Sequence, residues 1–190
     1  MDTKKEKLLL HICCAPDEAW VVKKLKDEFD LYCFFCNPNI QPESEYEKRL
    51  AEALRVAKIY NVPFDSDEYN PDSWERAIEK HIDTPEGGAR CLDCFDLRLE
   101  RTALFCKKIG FTSFTTVMSI SPHKRIEMLN LAGKNAAEKY GVTYEPYNFK
   151  KNNGFLDSIK LSKELNLYRQ DYCGCRLSRD ERDIRVRARK

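Results

Sequence analysis

KLLLHICCAP, Lys7 to Pro16, decides the architecture. Lys7 to Ile12 is an apolar run of the length of a buried strand, and Cys13-Cys14-Ala15-Pro16 interrupts it as a loop. Asp17 then stands as the cap of a helix expected to run through Phe29. Strand, loop, helix is the opening of an α/β unit, and the rest of the chain repeats it. Leu31 to Phe35 reads as a second strand, Ser44 to Tyr60 as a helix, and Val62 to Asp65 as a third strand. A proline-started helix, Pro71 to Lys80, is inserted before a long one from Cys91 to Ile109. Phe111 to Met118, His123 to Tyr140, Val142 to Tyr147 and Phe155 to Leu165 continue as strand, helix, strand, helix. Strands alternating with helices predict a Rossmann-like α/β fold, a parallel sheet flanked by helices. With 190 residues, no repeat and no low-complexity linker, residues 1–190 are expected to form a single domain with a short helical insert. In such sheets ligands bind outside the carboxyl ends of the strands, which is where Cys13 and Cys14 fall.

No window approaches the roughly 18 apolar residues of a membrane span. The apolar stretch Leu8 to Cys13 is too short for the core of a signal peptide. A cytoplasmic protein is expected. Nine cysteines in a reducing compartment point to metal binding or catalysis rather than to a disulfide framework.

Cys91-Leu92-Asp93-Cys94 follows two glycines and opens a helix, a chelating pair whose thiolates the helix start favours. Two more thiolates would complete a site for zinc or for iron–sulfur, and Cys13 and Cys14 are the best placed. Cys33 and Cys36 share the spacing but lie in a strand, where residues three apart face opposite ways, so they read as packing. Cys106 reads as a core residue and His11 as structural. Cys173-Gly174-Cys175 is different: a bridge across one residue would be strained and easily reduced, as redox-active bridges are, while ligation of a metal is the alternative. From Arg176 to Lys190 there are seven basic and three acidic residues in a chain of net charge +2. This basic C-terminal tail, 176–190, fits either a phosphate-rich partner or a solvated end.

The chain resembles the QueH family of epoxyqueuosine reductases. The resemblance rests on Leu8 to Pro16, Asn37-Pro38-Asn39-Ile40 with Glu45-Tyr46 and Arg49, and Cys91-x-x-Cys94-x-x-Leu97-Arg98-Leu99. It continues through Phe114-Thr115-Thr116, Ser121-Pro122-His123-Lys124, Asn153-Gly154-Phe155 and Tyr168-Arg169-Gln170-x-Tyr172-Cys173-Gly174-Cys175. It implies an iron–sulfur oxidoreductase that removes the epoxide oxygen of epoxyqueuosine at the tRNA wobble position, giving queuosine. By the same resemblance Cys13, Cys14, Cys91 and Cys94 hold a [4Fe–4S] cluster, and Cys173 with Cys175 is a redox-active disulfide. The partners implied are tRNA carrying epoxyqueuosine and an external electron donor.

Three positions depart from the family pattern: Asp17 for a cysteine, Cys36 for a tyrosine and Gln41 for a histidine. Asp17 therefore becomes a candidate for an additional iron ion or for the substrate, beside its reading as a helix cap. No GxGxxG follows the first strand, so a dinucleotide does not supply the electrons. Tyr168, Arg169, Tyr172 and Arg176 combine aromatic faces with cations beside the redox pair and are candidates for RNA contact, or for mutual packing at a core edge. Two rival readings are a zinc-stabilised RNA-binding module on Cys91/Cys94 with Cys33/Cys36, and an ATP-dependent tRNA-modifying enzyme. The second needs a phosphate cradle that Cys-Cys-Ala-Pro-Asp does not provide.

Overall fold

A computed structural model describes residues 5–188. Its centre is β1 (Glu6–Ile12), whose Leu8, Leu9, Leu10 and Ile12 are all fully buried. A strand apolar on both faces must be covered on both, and parallel pairing with helical crossovers does that. The strand β1 pairs in parallel with β2 (Phe29–Phe35) on one side and β4 (Ser113–Thr116) on the other. With β3 (Phe64–Ser66) and β5 (Thr143–Tyr144) the sheet order is β3-β2-β1-β4-β5. The chain winds outward from β1 to β3, then crosses back to β4 and winds the other way. The β1/β4 gap is therefore the topological switch point.

The helix α1 (Ala15–Leu25) packs against α2 (Glu43–Tyr60) and α6 (Gly154–Glu164), while α4 (Ala89–Lys108) packs along α5 (Ile126–Tyr140). Reversal of winding with right-handed crossovers puts these two groups on opposite faces. The insert is α3 (Pro71–Ile78), followed by a 3-10 turn at Glu79–His81. Among the described residues no helix is long and apolar enough to cross a membrane.

Several boundaries differ from the sequence reading. The first helix stops at Leu25, and Phe29 already belongs to β2. Its cap is Cys14, in extended backbone, and not Asp17, which sits inside the first turn. Pro16 at the helix start explains why the helix begins early, since its missing N–H has no partner to lose there. The fourth strand ends at Thr116, whose side chain accepts from Met118 N and turns the chain into a 3-10 helix, Val117–Ile120. Residues Ser121–Arg125 are loop, not helix. The basic segment is not a frayed end. Arg176–Arg187 form α7, with Arg176 on Glu75, Arg182 on Asp171 and Asp183, and buried Arg90 on Glu181. Arg189 and Lys190 of that tail lie outside the described residues.

Candidate functional site

A cavity of about 690 Å³ opens at the switch point. Its floor is the end of β1. Cys13 follows the strand, Cys14 caps α1, and their Sγ atoms are 3.7 Å apart. The irregular backbone between strand and helix lets two adjacent side chains turn the same way. Asp17, one turn into α1, accepts from Cys13 Sγ at 3.4 Å. One ligand atom each from Cys13, Cys14 and Asp17 lie within 4.8 Å of one another, a possible seat for a metal ion. Burial raises the Asp17 carboxyl above its ordinary range, against the pull of Lys124. The Cys13 thiol is held well up by its contact with Cys14 and by burial.

The first turns of α4 bring Cys91 and Cys94 to the same cavity. Gly88 caps this helix, and a Cβ there would meet Pro85 O at 2.9 Å, so the tight approach of the preceding loop requires glycine. Gly87 N donates to Cys91 Sγ at 3.2 Å. Burial pushes the Cys91 thiol up to about 11 and also raises Cys94. One turn further, Arg98 is buried, with Nε on Cys36 O at 3.2 Å and Nη2 on Asn37 Oδ1 at 2.6 Å. Its guanidinium keeps its charge despite burial, and Cys94, Cys13 and Cys173, where ionised, favour that charge further.

The roof is the segment before α7. Cys173 and Cys175 line the cavity with both thiols free, and Cys175 caps α7 by accepting from Ser178 N at 3.3 Å. Burial lifts Cys175 to about 12. The Cys-Gly-Cys turn is clamped on every side. Arg49 Nη1 donates to Cys173 O at 3.0 Å and Nη2 to Tyr172 O at 3.3 Å. Gln41 N donates to Gly174 O at 2.9 Å, and Cys173 N to Ser178 Oγ at 3.1 Å. Gly174 has φ of +138°, and a Cβ would lie 3.0–3.1 Å from Ile40, Arg49 and Asn39. Only glycine fits there.

Five of the six cysteines assigned to cluster and redox pair thus line one cavity, and Cys14 lies buried behind Cys13. Cys33 faces Glu18, and Cys36 Sγ donates to Asp67 at 3.3 Å, so neither turns to Cys91 and Cys94. Cys106 is buried, with Sγ on Ser113 O. His11 is structural: Nε2 donates to Cys36 O at 3.1 Å, which leaves Nδ1 to accept from Thr116 Oγ1 at 2.8 Å. Burial, then the charge of Arg98, keeps this imidazole neutral.

The four RNA candidates are placed differently. Arg169 and Tyr172 line the cavity, Arg169 exposed. Tyr172 donates to Gln41 O at 2.8 Å, with Arg49 and Arg182 over its ring. Tyr168 donates to Glu45 and lies under Lys48, away from the cavity. Arg176 makes a two-pronged pair with Glu75 at 2.7 and 2.8 Å. Arg49, Arg90, Trp74 and Lys124 also line the cavity, though sequence reasoning assigned them no role. Arg49 and Lys124 fall in the motifs of the resemblance, which was their one signal.

A model of the family described as "Epoxyqueuosine reductase QueH" matches residues 8–181. The epoxyqueuosine reductase QueH of Thermotoga maritima is 42% identical over 179 residues, 92% of this chain and 91% of that protein. That of Acinetobacter baylyi is 41% identical over 172 residues, 90% of this chain and 79% of that one. Among solved structures, a predicted subunit of tRNA methyltransferase from Methanocaldococcus jannaschii matches 81% of this chain and 74% of its own, with TM-score 0.58 at 13% identity. The U34-tRNA thiolase NcsA from Methanococcus maripaludis, solved with its [4Fe-4S] cluster, matches 97% of this chain and 66% of its own, with TM-score 0.55 at 11% identity. Those two likenesses are of fold. Sequence identity above 40% along nearly the whole chain carries more: this protein belongs to the QueH family of epoxyqueuosine reductases and is an oxidoreductase.

Proposed function

We propose that the protein removes the epoxide oxygen of epoxyqueuosine at the wobble position of tRNA, with Cys13, Cys14, Cys91 and Cys94 holding a [4Fe–4S] cluster and Cys173 with Cys175 as a redox-active pair. The observation that carries this reading is the convergence of both cysteine sets on one cavity at the switch point. The surroundings suit a cluster. Trp74 Nε1 is buried with no hydrogen-bond partner and packs beside Cys94, a donor suited to a thiolate or sulfide acceptor. Gly87 N already points at Cys91 Sγ, and the charge of Arg98 offsets thiolate charge nearby. When bound, the cluster would supply electrons, and an additional iron ion on Cys13 and Asp17 would supply a Lewis acid.

The chemistry needs two electrons and two protons: both C–O bonds break, an alkene forms and water leaves. The protein's residues hold the reacting group dry and oriented. A dithiol at Cys173 and Cys175 can store two electrons, and the clamp of Arg49, Gln41 and Ser178 fixes both thiols at the roof. Arg169 and Tyr172 at the cavity, with Tyr168 and Arg176 nearby, are our candidates for contact with the anticodon. The described residues act as a single domain, since the site draws on β1, α4 and the segment before α7 alike, and a tRNA substrate would place it in the cytoplasm.

Anaerobic purification with a visible spectrum and counts of iron and sulfide tests the cluster. Cys91→Ser should strip the brown chromophore and abolish turnover, while Cys33→Ser keeps its iron. Full iron in Cys91→Ser would refute the assignment.

A further inference from the structure

Deoxygenation leaves an oxygen that must be protonated twice; oxidation of the Cys173–Cys175 dithiol releases two protons, and a donor held at the departing oxygen would deliver the first of them there. The cavity is lined by several cations, all but one of them arginines, and three of those are already committed. Arg98 is tied to Cys36 O and Asn37, Arg49 to Cys173 O and Glu45, and Arg90 to Thr84 O and Glu181. A guanidinium also holds its protons too tightly to hand one over. Lys124 is different. It is the lysine among the described residues that line the cavity, and its Nζ has no hydrogen-bond or ion-pair partner among them.

Lys124 sits on the loop after β4, opposite the α1 start across the switch point. Its backbone is held from behind, because Lys150 Nζ donates to Lys124 O at 2.9 Å and also reaches Ser121 O. The ammonium lies in the field of Cys173, Cys13 and Asp17, which belong to the roof and the floor of the cavity. Burial disfavours its charge, while these three acidic groups, where ionised, favour it.

We propose that Lys124 is a catalytic residue whose ammonium hydrogen-bonds the epoxide oxygen and gives it a proton as the C–O bonds break. This rests on the reductase reading of the same cavity. The balance is one epoxide, two electrons supplied by the reductase activity and two protons, giving one alkene and one water. Lys124 provides the first proton and is reprotonated by water at the cavity mouth, and solvent provides the second. A fixed ammonium at the departing oxygen stabilises charge where it develops, which is where a donor accelerates a reaction.

The test compares the parent, Lys124→Ala and Lys124→Arg as anaerobically purified, iron-containing protein, using an RNA hairpin carrying epoxyqueuosine. Lys124→Ala should keep the parental iron and sulfide content and lose about 100-fold in turnover. Added methylammonium should restore part of that loss in proportion to its concentration, and Lys124→Arg should fall below Lys124→Ala with amine present. Turnover of Lys124→Ala within threefold of the parent would overturn the proposal, as would loss of its iron. Failure of the reductase reading itself would show separately, as absence of queuosine product from the parent.

Discussion

Replacing Arg49 by methionine tests whether the roof of the cavity is held by one buried cation. The guanidinium is 2% exposed and makes three links: Nε to Glu45 at 2.7 Å, Nη1 to Cys173 O and Nη2 to Tyr172 O. Methionine fills similar space, so cavity formation contributes little and the lost polar contacts dominate. Each charge-assisted hydrogen bond to a carbonyl is worth about 1.5–3 kcal/mol. Breaking a buried pair by removing one partner costs about 3–5 kcal/mol. Glu45, 13% exposed, keeps the Tyr168 hydroxyl as a donor, which favours the lower end. A loss of about 3 kcal/mol lowers the melting temperature of a chain this size by roughly 6–12 °C. Arg49→Lys keeps charge but loses the fork, so it should fall between parent and methionine. Calorimetry or circular dichroism measures the shift, and turnover should fall with it because Cys173 loses its anchor. A change below about 1 kcal/mol in Arg49→Met would refute the reasoning.

Cys173→Ser and Cys175→Ser should each retain the iron-dependent chromophore yet lose turnover with a physiological reductant; iron loss in Cys173→Ser would instead make that thiol a ligand. Glu75 lies below its ordinary value of 4.5, chiefly through its hydrogen bond from Arg176. A depressed carboxyl stabilises the fold above its unfolded pKa and loses that effect as pH falls through its folded one. Glu75→Gln should therefore cost at most about 1 kcal/mol at neutral pH, both side chains being about a third exposed, and progressively less in acid. Urea midpoints measured from neutral pH downward check this, and a gap that widens in acid would contradict it.

The parts of the fold legible in the sequence are those where pattern is local. β1 was readable because Leu8, Leu9, Leu10 and Ile12 make an apolar run broken only by His11, and α4 because Gly88 precedes its periodic run. The end of α1 was not, because Lys26, Asp27 and Glu28 are as compatible with a helix as with the turn they form, and only pairing with β1 pulls Phe29 into β2. The cap of α1 was misassigned to Asp17 because sequence preference favours a carboxylate there, whereas Pro16 moves the helix start to Ala15. In the site, cysteine spacing was legible and its electrostatic setting was not. Arg98 and Arg49 carried no reading beyond their place in the motifs, because their carbonyl partners lie 61 to 124 residues away. That Arg176 and Arg182 are held in place was not legible for the same reason, since Glu75 and Asp171 come from other parts of the chain.

The order of the cavity's pieces along the chain sets an order of assembly. Cys13, Cys14, Cys91 and Cys94 all leave the ribosome before β4, while Cys173 and Cys175 follow Cys94 by about eighty residues. At a synthesis rate of about 5–20 residues per second, the floor waits roughly 4–16 s for its roof. During that interval the cavity side of the four early thiols would lack its roof. Docking of α7, through Glu181 on Arg90 and Ser178 on Glu86, then shuts the approach from that side. If a cluster is held as proposed, a chain that finished without it would have to lift this helix again to take one up.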